Sequence, residues 1–349
     1  MPSAGTIRVA VVGVGAFGRN HARVYRELAQ QGKGVELAAI VDADAARAAA
    51  VAAEAGGQPF SSLADLKGRV DAASVAVPTE AHLAVARALM EAGIDVLIEK
   101  PVAATLAEAD ELLRLARAHG RVVQVGHLER FNPAVRATVP LVTQPMFFEV
   151  HRLSVFTPRS LDIDVVLDLM IHDLDVVLSF VRSPVKEVRA VGLPILTGKV
   201  DIANVRLEFD SGCVANFTAS RVSTERVRKL RFFQPHEYVS VDYARQDVFA
   251  ITVDPDVVSG RTPMEKLAAH AAQPDGLPIP GVRLRRPEVV KEEPLHAELM
   301  EFLRAVRTRT TPSVPLEDGR RALALALEIH RALADHSRKA QLDRIATSA

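Results

Sequence analysis

The chain has 349 residues, of which 48% are hydrophobic and 25% charged, a composition typical of a globular protein with about two domains. Its 43 lysines and arginines balance 43 aspartates and glutamates, so no net charge draws it to nucleic acid or to an anionic membrane. The single cysteine, Cys213, excludes an internal disulfide and a cysteine-based zinc site. We expect a cytoplasmic protein, since this cysteine usage suits a reducing compartment and no apolar segment has signal-peptide or membrane-span length.

From Ile7 to about Gly126, short apolar runs alternate with amphipathic stretches. This alternation predicts parallel strands joined by helices, and therefore an α/β fold with a doubly wound parallel sheet. The predicted strands are IRVAVV, VELAAIV, ASVAVP, DVLIEK and VVQVGH, with a short extra strand at Gln58–Phe60. The predicted helices cover about 18–31, 43–55, 80–92 and 105–119.

After about Leu128, predicted strands follow one another without helices between them, which indicates a large, mostly antiparallel open sheet. An apolar helix, LDLMIHDLDVVLSF, is inserted near the start of this sheet. Prolines interrupt residues 255–294, where we expect a long ordered arm or loop, and two helices at about 295–307 and 317–340 follow. We therefore predict a first domain at 1–127 and an α+β domain at 128–349.

A glycine motif directly follows the first predicted strand. In VVGVGAFGRNHARVY, Gly13, Gly15 and Gly18 have the spacing G-x-G-x-x-G and open a helix. The three glycines would give a tight turn, close approach of a pyrophosphate and close helix–strand packing, with the phosphates at the helix N-terminus. The motif predicts a dinucleotide site that includes Ala16 and Phe17. A glycine-rich turn without a ligand is the alternative.

Asp42 ends the second predicted strand, 24 residues beyond Gly18, where a carboxylate can accept hydrogen bonds from the adenosine ribose. There it would also repel a 2′-phosphate. Asp42 could instead cap the next helix, although Asp44 is available for that role. NAD is therefore preferred over NADP, while Arg19 and Arg47 keep NADP open.

The carboxyl ends of the later strands supply further candidates, because ligands of doubly wound sheets gather there. VAVPTEAH and VLIEKP mark two such ends. Lys100 could be a surface charge, but its position at the active edge favours an orienting or catalytic role. The predicted coenzyme contacts at these ends are Val77, Pro78, Thr79, His82, Glu99, Lys100 and Pro101.

The inserted helix carries a polar stripe. Asp164, Asp168, His172 and Asp175 share one narrow face of a helix that is otherwise apolar, which indicates a face bordering an enclosed cavity. Asp168 and His172 are at i and i+4, where the carboxylate can hold one ring nitrogen and raise the basicity of the other. Alternatively, Asp164 is a helix cap and His172 a core residue. These ligands are too sparse for a metal site, and we predict none.

Five motifs in sequence order carry a family resemblance: GVGAFGRNHA, PTEAH, EKP, GHLERFNP and LDLMIHDLD. Together they resemble the Gfo/Idh/MocA dehydrogenases over nearly the whole chain. The resemblance implies a Rossmann domain, an α/β domain whose open sheet builds homodimers or homotetramers, and nicotinamide-dependent oxidation or reduction of a sugar or polyol carbon. It also implies that Lys100 positions the reacting hydroxyl and that Asp168 and His172 form the catalytic dyad.

Within the family, VGHLERFNPAV with DLMIHDLDVVL most resembles the UDP-N-acetylglucosamine 3-dehydrogenase branch, which makes a 3-keto nucleotide sugar for later amination in lipid A synthesis. A dehydrogenase of myo-inositol or of a simple sugar is the alternative. Guanidinium groups suit phosphate, although arginines are as often structural. The predicted substrate contacts are Arg130, Asn132, Arg152, Asp175 and Arg221.

These residues predict a hydride transfer. His172 would remove the hydroxyl proton as the hydride leaves the same carbon, Asp168 would stabilise the imidazolium, and Lys100 would polarise the oxygen. The roles of Lys100 and His172 could be exchanged, since a lysine of lowered pKa can act as a base. A non-catalytic sensor that binds dinucleotide is a further alternative, but the presence of all three side chains favours an enzyme.

Overall fold

A computed structural model describes residues 5–157, 164–261 and 281–341. Within these ranges, no helix combines the length and apolarity needed to cross a membrane. The described residues group into two compact units, one formed by residues up to Phe131 with Glu292–Ala324, the other by Asn132–Lys291 with residues from Leu325. The predicted division at residue 127 therefore needs one correction, because a late segment of the chain returns to the first unit.

The first unit contains a six-stranded sheet in the order β3-β2-β1-β4-β5-β6, with every neighbouring pair parallel. Its strands are β1 Ile7–Val12, β2 Val35–Val41, β3 Gln58–Phe60, β4 Ala72–Val75, β5 Asp95–Glu99 and β6 Val123–Gly126. Its first four helices are α1 Ala16–Gln30, α2 Ala45–Ala55, α3 His82–Glu91 and α4 Leu106–His119. The strand order reverses at β1, so the carboxyl ends of β1 and β4 mark the crevice where ligands of such sheets bind.

The returning segment completes the core of this unit. Its helix, Pro294–Thr308, buries Leu299, Phe302 and Leu303 in the same apolar cluster as Val9 and Leu28. An apolar helix face gains stability by leaving water, which explains why the segment belongs with the parallel sheet. A second late helix, Leu316–Lys339, begins in the first unit and continues into the second.

The second unit contains a sheet of eight described strands in the order β14-β13-β12-β11-β7-β10-β9-β8. The strands are β7 Phe147–Leu153, β8 Val185–Leu193, β9 Ile202–Phe209, β10 Val214–Ser220, β11 Val227–Gln234, β12 Glu237–Asp242, β13 Asp247–Val253 and β14 Val282–Arg285. All pairs are antiparallel except β7 with β10. The mostly antiparallel sheet is thus confirmed, and the parallel pair arises because a helical segment separates β7 from the β8–β10 meander.

The remaining described helices of the second unit are α5 Pro133–Thr138, α6 Ile171–Phe180 and α7 Pro255–Val258. One face of the sheet is buried through residues such as Phe148, Phe217 and Phe232, as period-2 alternation requires. The predicted arm at 255–294 contains α7 and β14, and its residues 262–280 lie outside the described residues.

Candidate active site

The three glycines of the first turn have different surroundings. Gly13 has a φ of 81°, and a Cβ there would lie 2.8 Å from the carbonyl oxygen of Ala76. A Cβ at Gly18 would lie 1.8 Å from the carbonyl oxygen of Gly13, so helix and turn pack in direct contact. Gly15 is exposed, and a methyl group on its Cα would have no heavy atom within 4 Å, which leaves its backbone open to a ligand.

The N-terminus of α1 is suited to an anion. Gly15 precedes the helix and supplies no side-chain cap, and the first turn contains no acidic residue. Ala16 and Phe17 are exposed, with Phe17 at 53%. The first backbone N–H groups of a helix lack internal acceptors and carry the positive end of the helix dipole. This cradle fits the pyrophosphate of a dinucleotide.

Asp42 lies directly after β2, and its side chain is almost buried. Its Oδ2 accepts a hydrogen bond from the backbone N–H of Val14 at 2.9 Å, and its Oδ1 accepts one from the N–H of Asp44 at 2.9 Å. Asp44 caps α2 by accepting from the N–H of Arg47, so the alternative role of Asp42 as the cap is wrong. Arg47 also lies 3.5 Å from Asp42 and is close enough to bear on the choice between NAD and NADP.

His82 was predicted as a coenzyme contact but is 1% exposed. Its Nδ1 and Nε2 each lie 3.0 Å from a carbonyl oxygen, of Pro101 and Val77 respectively. Burial lowers the pKa of His82 below its ordinary value, although these carbonyl groups oppose the shift. His82 therefore lies between the chain after β4 and the chain after β5, and its neutral ring can donate its one N–H to either carbonyl oxygen.

Most of the other predicted residues of these strand ends remain accessible, and Pro101 does not. Pro78 is exposed, and Val77 and Thr79 are half-buried just after β4. Lys100 is half-buried at the end of β5. The Oε1 of Glu99 lies 2.9 Å from Nε2 of His21, so Glu99 is held by a residue of α1. Pro101 is buried.

The helix that carries the proposed dyad is not regular throughout. The N–H of Ile171 donates to the carbonyl of Val166, five residues back, and the wide turn Val166–Met170 contains Asp168. Such wide turns are rare and frequent at functional sites. Asp168 and His172 are both half-buried. The extra residue in this turn changes the spacing that a regular helix would give them, and their pairing stays a prediction.

Asp164 begins this helix rather than belonging to its stripe. Its Oδ1 accepts from the N–H groups of Val166 and Leu167 at 2.8 and 3.2 Å, and its carboxylate pairs with Nε2 of His330 at 2.9 Å. Burial would raise the pKa of Asp164, but His330 and the two N–H groups bring it below its ordinary value. The alternative role of Asp164 as a cap is confirmed.

Two of the predicted substrate contacts have mainly structural positions. Arg152 is 3% exposed and donates from Nε and Nη2 to Asp173 at 2.6 and 2.8 Å. Its guanidinium also lies 5.3 Å from the ring centre of Tyr243. Asn132 caps α5 by accepting from the N–H of Ala134 and donates to the carbonyl of Tyr243. These polar groups are engaged within the fold, and their contact with substrate stays a prediction.

The other three substrate candidates differ in exposure. Arg130 lies 3.3 Å from the carbonyl of Ser313 and 3.4 Å from Asp318, with a side chain 18% exposed. Arg221 is buried, with its Nε 3.9 Å from Asp201, and Asp175 is 2% exposed. Burial makes Arg221 and Asp175 weak candidates for a solvated ligand, whereas Arg130 retains some access.

Sequence reasoning missed two residues next to Glu99, namely His21 and Glu298. Glu298 is fully buried, and one of its carboxylate oxygens lies within 4.8 Å of ligand atoms of both His21 and Glu99. The available signal was the position of Glu298 on the apolar face of LHAELMEFL, beside Leu295 and Leu299. An acidic residue is rarely fully buried unless it is paired or functional.

Comparison with protein families adds independent information. Residues 7–127 match the model of an oxidoreductase family with an NAD-binding Rossmann fold, and residues 144–234 match the GFO/IDH/MocA C-terminal domain. This chain belongs to the GFO/IDH/MocA family. It is therefore an NAD-binding oxidoreductase, which confirms the predicted fold, enzyme class and coenzyme.

Individual members of the GFO/IDH/MocA family are similar to different extents. The chain is 38% identical to UDP-N-acetylglucosamine 3-dehydrogenase of Acidithiobacillus ferrooxidans over 328 residues, covering 94% of this chain and 97% of that protein. A solved structure of that enzyme superposes with a TM-score of 0.83 at 36% identity, and the match covers 95% of this chain and 98% of that chain. Inositol 2-dehydrogenase 1 of Saccharopolyspora erythraea is 42% identical over 136 residues, 37% of this chain and 39% of that protein.

Proposed function

We propose that this protein oxidises the C3 hydroxyl of UDP-N-acetylglucosamine to a ketone with NAD. The observation that carries the proposal is the extent of the similarity to the Acidithiobacillus ferrooxidans enzyme, which spans 94% of the chain. The matched region therefore includes both the glycine cradle and the helix with Asp168 and His172. Substrate specificity depends on residues throughout a site, so similarity along the whole chain is more informative than similarity confined to the coenzyme-binding part.

The matches to inositol dehydrogenases support a second candidate, oxidation of myo-inositol or a simple sugar. One of them has a higher sequence identity to this chain than the nucleotide-sugar enzyme has, 42% against 38%, but its match covers only 37% of the chain. Such a match is expected from a shared Rossmann domain, because coenzyme binding is common to enzymes of different substrates. The nucleotide sugar is therefore the better-supported substrate.

In the proposed reaction, bound NAD supplies the acceptor for the hydride. His172 takes the proton of the substrate hydroxyl, and the negative charge of Asp168 stabilises the resulting imidazolium. Lys100 donates a hydrogen bond to the hydroxyl oxygen and stabilises the negative charge that develops there. In the alternative assignment Lys100 is the base and His172 the hydrogen-bond donor. In either case the chain provides proton transfer and orientation.

The test is a spectrophotometric screen for reduced nicotinamide. The purified protein is incubated with UDP-N-acetylglucosamine, UDP-glucose, myo-inositol or glucose, each with NAD and with NADP. We expect reduction with UDP-N-acetylglucosamine and NAD, and its loss in the His172→Ala variant. Reduction with myo-inositol alone would support the second candidate. If the protein binds NADH but no substrate reduces NAD or NADP, the result would favour a non-catalytic sensor and contradict the enzymatic mechanism.

We also propose that the protein is a cytoplasmic homodimer or homotetramer formed through the open sheet of the second unit. Phe147, Phe233, Tyr238 and Phe249 form a row on one face of this sheet, with successive ring centres 5.7, 5.0 and 5.8 Å apart. Phe233 is 37% exposed. Covering such a row in a partner removes apolar surface from water. Light scattering of wild type and of Phe233→Asp tests this, with a smaller particle expected for the variant.

A further inference from the structure

Three ionisable side chains meet beneath the coenzyme-binding edge of the first unit. His21 comes from α1, Glu99 from the end of β5 and Glu298 from the helix Pro294–Thr308. One ligand atom from each lies within 4.8 Å of the other two. His21 and Glu298 are fully buried, and the side chain of Glu99 is 13% exposed. We call these three residues the buried triad.

The two carboxyl groups of the triad have different surroundings. Glu99 accepts a hydrogen bond from His21, with Oε1 2.9 Å from Nε2. Within the described part of the chain, neither oxygen of Glu298 has a hydrogen-bond partner. An ionised carboxylate without a partner is very costly in an apolar interior, and a nearby negative charge adds to that cost. Accordingly, burial raises the pKa of Glu298 well above its ordinary value, and Glu99 raises it further.

In the described part of the chain, several polar groups on the packed elements are directed to partners other than the carboxyl group of Glu298. Tyr25 of α1 pairs with Ser74 at 2.9 Å, and burial raises the pKa of its hydroxyl, so it stays neutral. Gln124 of β6 donates from its side chain to the backbone carbonyl of Glu298, not to the carboxyl group. The turn Leu128–Phe131 also packs on this helix and carries Glu129 and Arg130, and Arg130 is directed to Asp318.

The position of Glu99 bears directly on the coenzyme edge. Glu99 pairs in register with Gly126 of β6, and a Cβ at Gly126 would lie 2.8 Å from its Oε1. The carboxylate therefore fits a space defined by His21 on one side and Gly126 on the other. Lys100 follows immediately in the chain. Displacement of Glu99 would move the backbone that presents Lys100 and Pro101.

We propose that Glu298 is a neutral carboxylic acid and a positioning residue, whose proton allows Glu99 to stay on His21 and thereby fixes the chain at Lys100 where the coenzyme binds. With both carboxyl groups ionised, mutual repulsion would drive Glu99 away from His21. With one proton on Glu298, that repulsion is removed and the acid O–H can donate to the anionic Glu99. A single proton on Glu298 can therefore explain how two carboxyl groups lie close together in a buried site. Unlike a metal ion, it needs no further ligands.

Two variants separate this role from simple packing. Glu298→Gln keeps a neutral group and a hydrogen-bond donor of the same shape, and we expect its dissociation constant for NADH to stay within about threefold of wild type. Glu298→Leu keeps apolar volume but removes the donor, and we expect a dissociation constant about tenfold higher. Gly126→Ala displaces Glu99 with Glu298 intact and should weaken NADH binding similarly. NADH fluorescence titration gives all three values.

The proton itself is observed by infrared spectroscopy. The wild-type minus Glu298→Gln difference spectrum at neutral pH should contain the carbonyl stretching band of a protonated carboxylic acid. Absence of this band, or a stoichiometric metal ion in the wild-type protein that the Gln variant lacks, would overturn the proposal. So would wild-type NADH affinity in both Glu298→Leu and Gly126→Ala. If Glu298→Leu does not fold, the spectrum and Gly126→Ala still decide. The NADH titration and the infrared spectrum need no sugar substrate. A failure of the proposed function can therefore be distinguished from a failure of this inference.

Discussion

The guanidinium of Arg152 and the carboxylate of Asp173 form two parallel hydrogen bonds, at 2.6 and 2.8 Å, with side chains only 4% and 2% exposed. Arg152 belongs to β7 and Asp173 to α6, so the pair joins the sheet of the second unit to the helix that carries His172. Paired arginine and carboxylate groups of this geometry fix orientation as well as contributing energy. The position of His172 therefore depends on a buried contact one residue further along the helix.

Asp173→Asn should destabilise the second unit by about 3–5 kcal/mol, because it removes the carboxylate charge that faces the buried guanidinium of Arg152. The matched control is Asp110→Asn, since Asp110 pairs with Arg320 but its side chain is 53% exposed. A surface pair contributes about 0–1 kcal/mol. Urea unfolding measures both variants, and equal stabilities would contradict a structural role for the Arg152–Asp173 pair.

Asp42→Ala should weaken NAD binding by roughly tenfold to a hundredfold, because it removes a charged acceptor at the end of β2 and frees the N–H of Val14. Affinity for NADP should fall less, since a repulsive charge is removed at the same time. Asp44→Ala is the control: it removes the cap of α2, at about 1 kcal/mol of stability, and leaves coenzyme affinity unchanged. Fluorescence titrations with NADH and NADPH compare the two variants, and an equal effect of both would exclude ribose recognition by Asp42.

Gly15→Ala should fold normally and bind NAD poorly. Gly15 has a φ of −65° and open space at its Cβ position, so stability should change by no more than about 0.5 kcal/mol while the methyl group blocks the pyrophosphate. Gly18→Ala should instead lower the melting temperature, because its methyl group would collide with the backbone of Gly13. Thermal melts without and with NAD distinguish the two effects, and normal stabilisation of Gly15→Ala by NAD would exclude the cradle.

His172→Ala and Lys100→Ala should each lower kcat by roughly 10²–10⁴-fold, as expected for groups that act in proton transfer, and His172→Ala should leave NADH affinity unchanged. His119→Ala is the control, since His119 is exposed in the last turn of α4 and should be silent. Steady-state kinetics with the substrate found in the screen gives the values. Near-normal kcat in both active-site variants would end the assignment of a base to either residue.

Cys213 should not react with a thiol reagent in the folded protein. Burial raises the pKa of its thiol to about 11, so at pH 8 only about one thiol in a thousand is ionised, and the side chain is 1% exposed. Ellman's reagent should release one equivalent per chain in urea and almost none without it. Rapid labelling of the native protein would show that β10 opens readily at its start.

Local patterns in the sequence were sufficient for the parallel sheet and the glycine turn of the first unit. The glycine spacing predicted both the turn after β1 and the open position at Gly15, because each requirement is imposed by residues next to it in the chain. Even the three-residue strand Gln58–Phe60 was predicted. Asp44 as the alternative cap was also visible in advance, since caps are local features.

Features that depend on distant residues could not be found in this way. The wide turn Val166–Met170 departs from the regular periodicity that placed Asp164, Asp168 and His172 in one stripe. Asp173 pairs with Arg152, 21 residues away on β7, and Glu99 at the end of β5 pairs with His21 of α1. The parallel pairing of β7 with β10 follows from the path of the chain through α6, which no local pattern records.

Because the helix Pro294–Thr308 packs with the parallel sheet, the first unit cannot complete its core until this late helix has been synthesised. Residues 7–126 contain all six strands of that sheet, but their apolar cluster also needs Leu299, Phe302 and Leu303. A nascent chain that ends before Pro294 therefore has an incomplete core in its nucleotide-binding unit. The apolar surface that this helix would cover is then exposed to water. That surface is a natural target for chaperones until the last sixth of the polypeptide has left the ribosome.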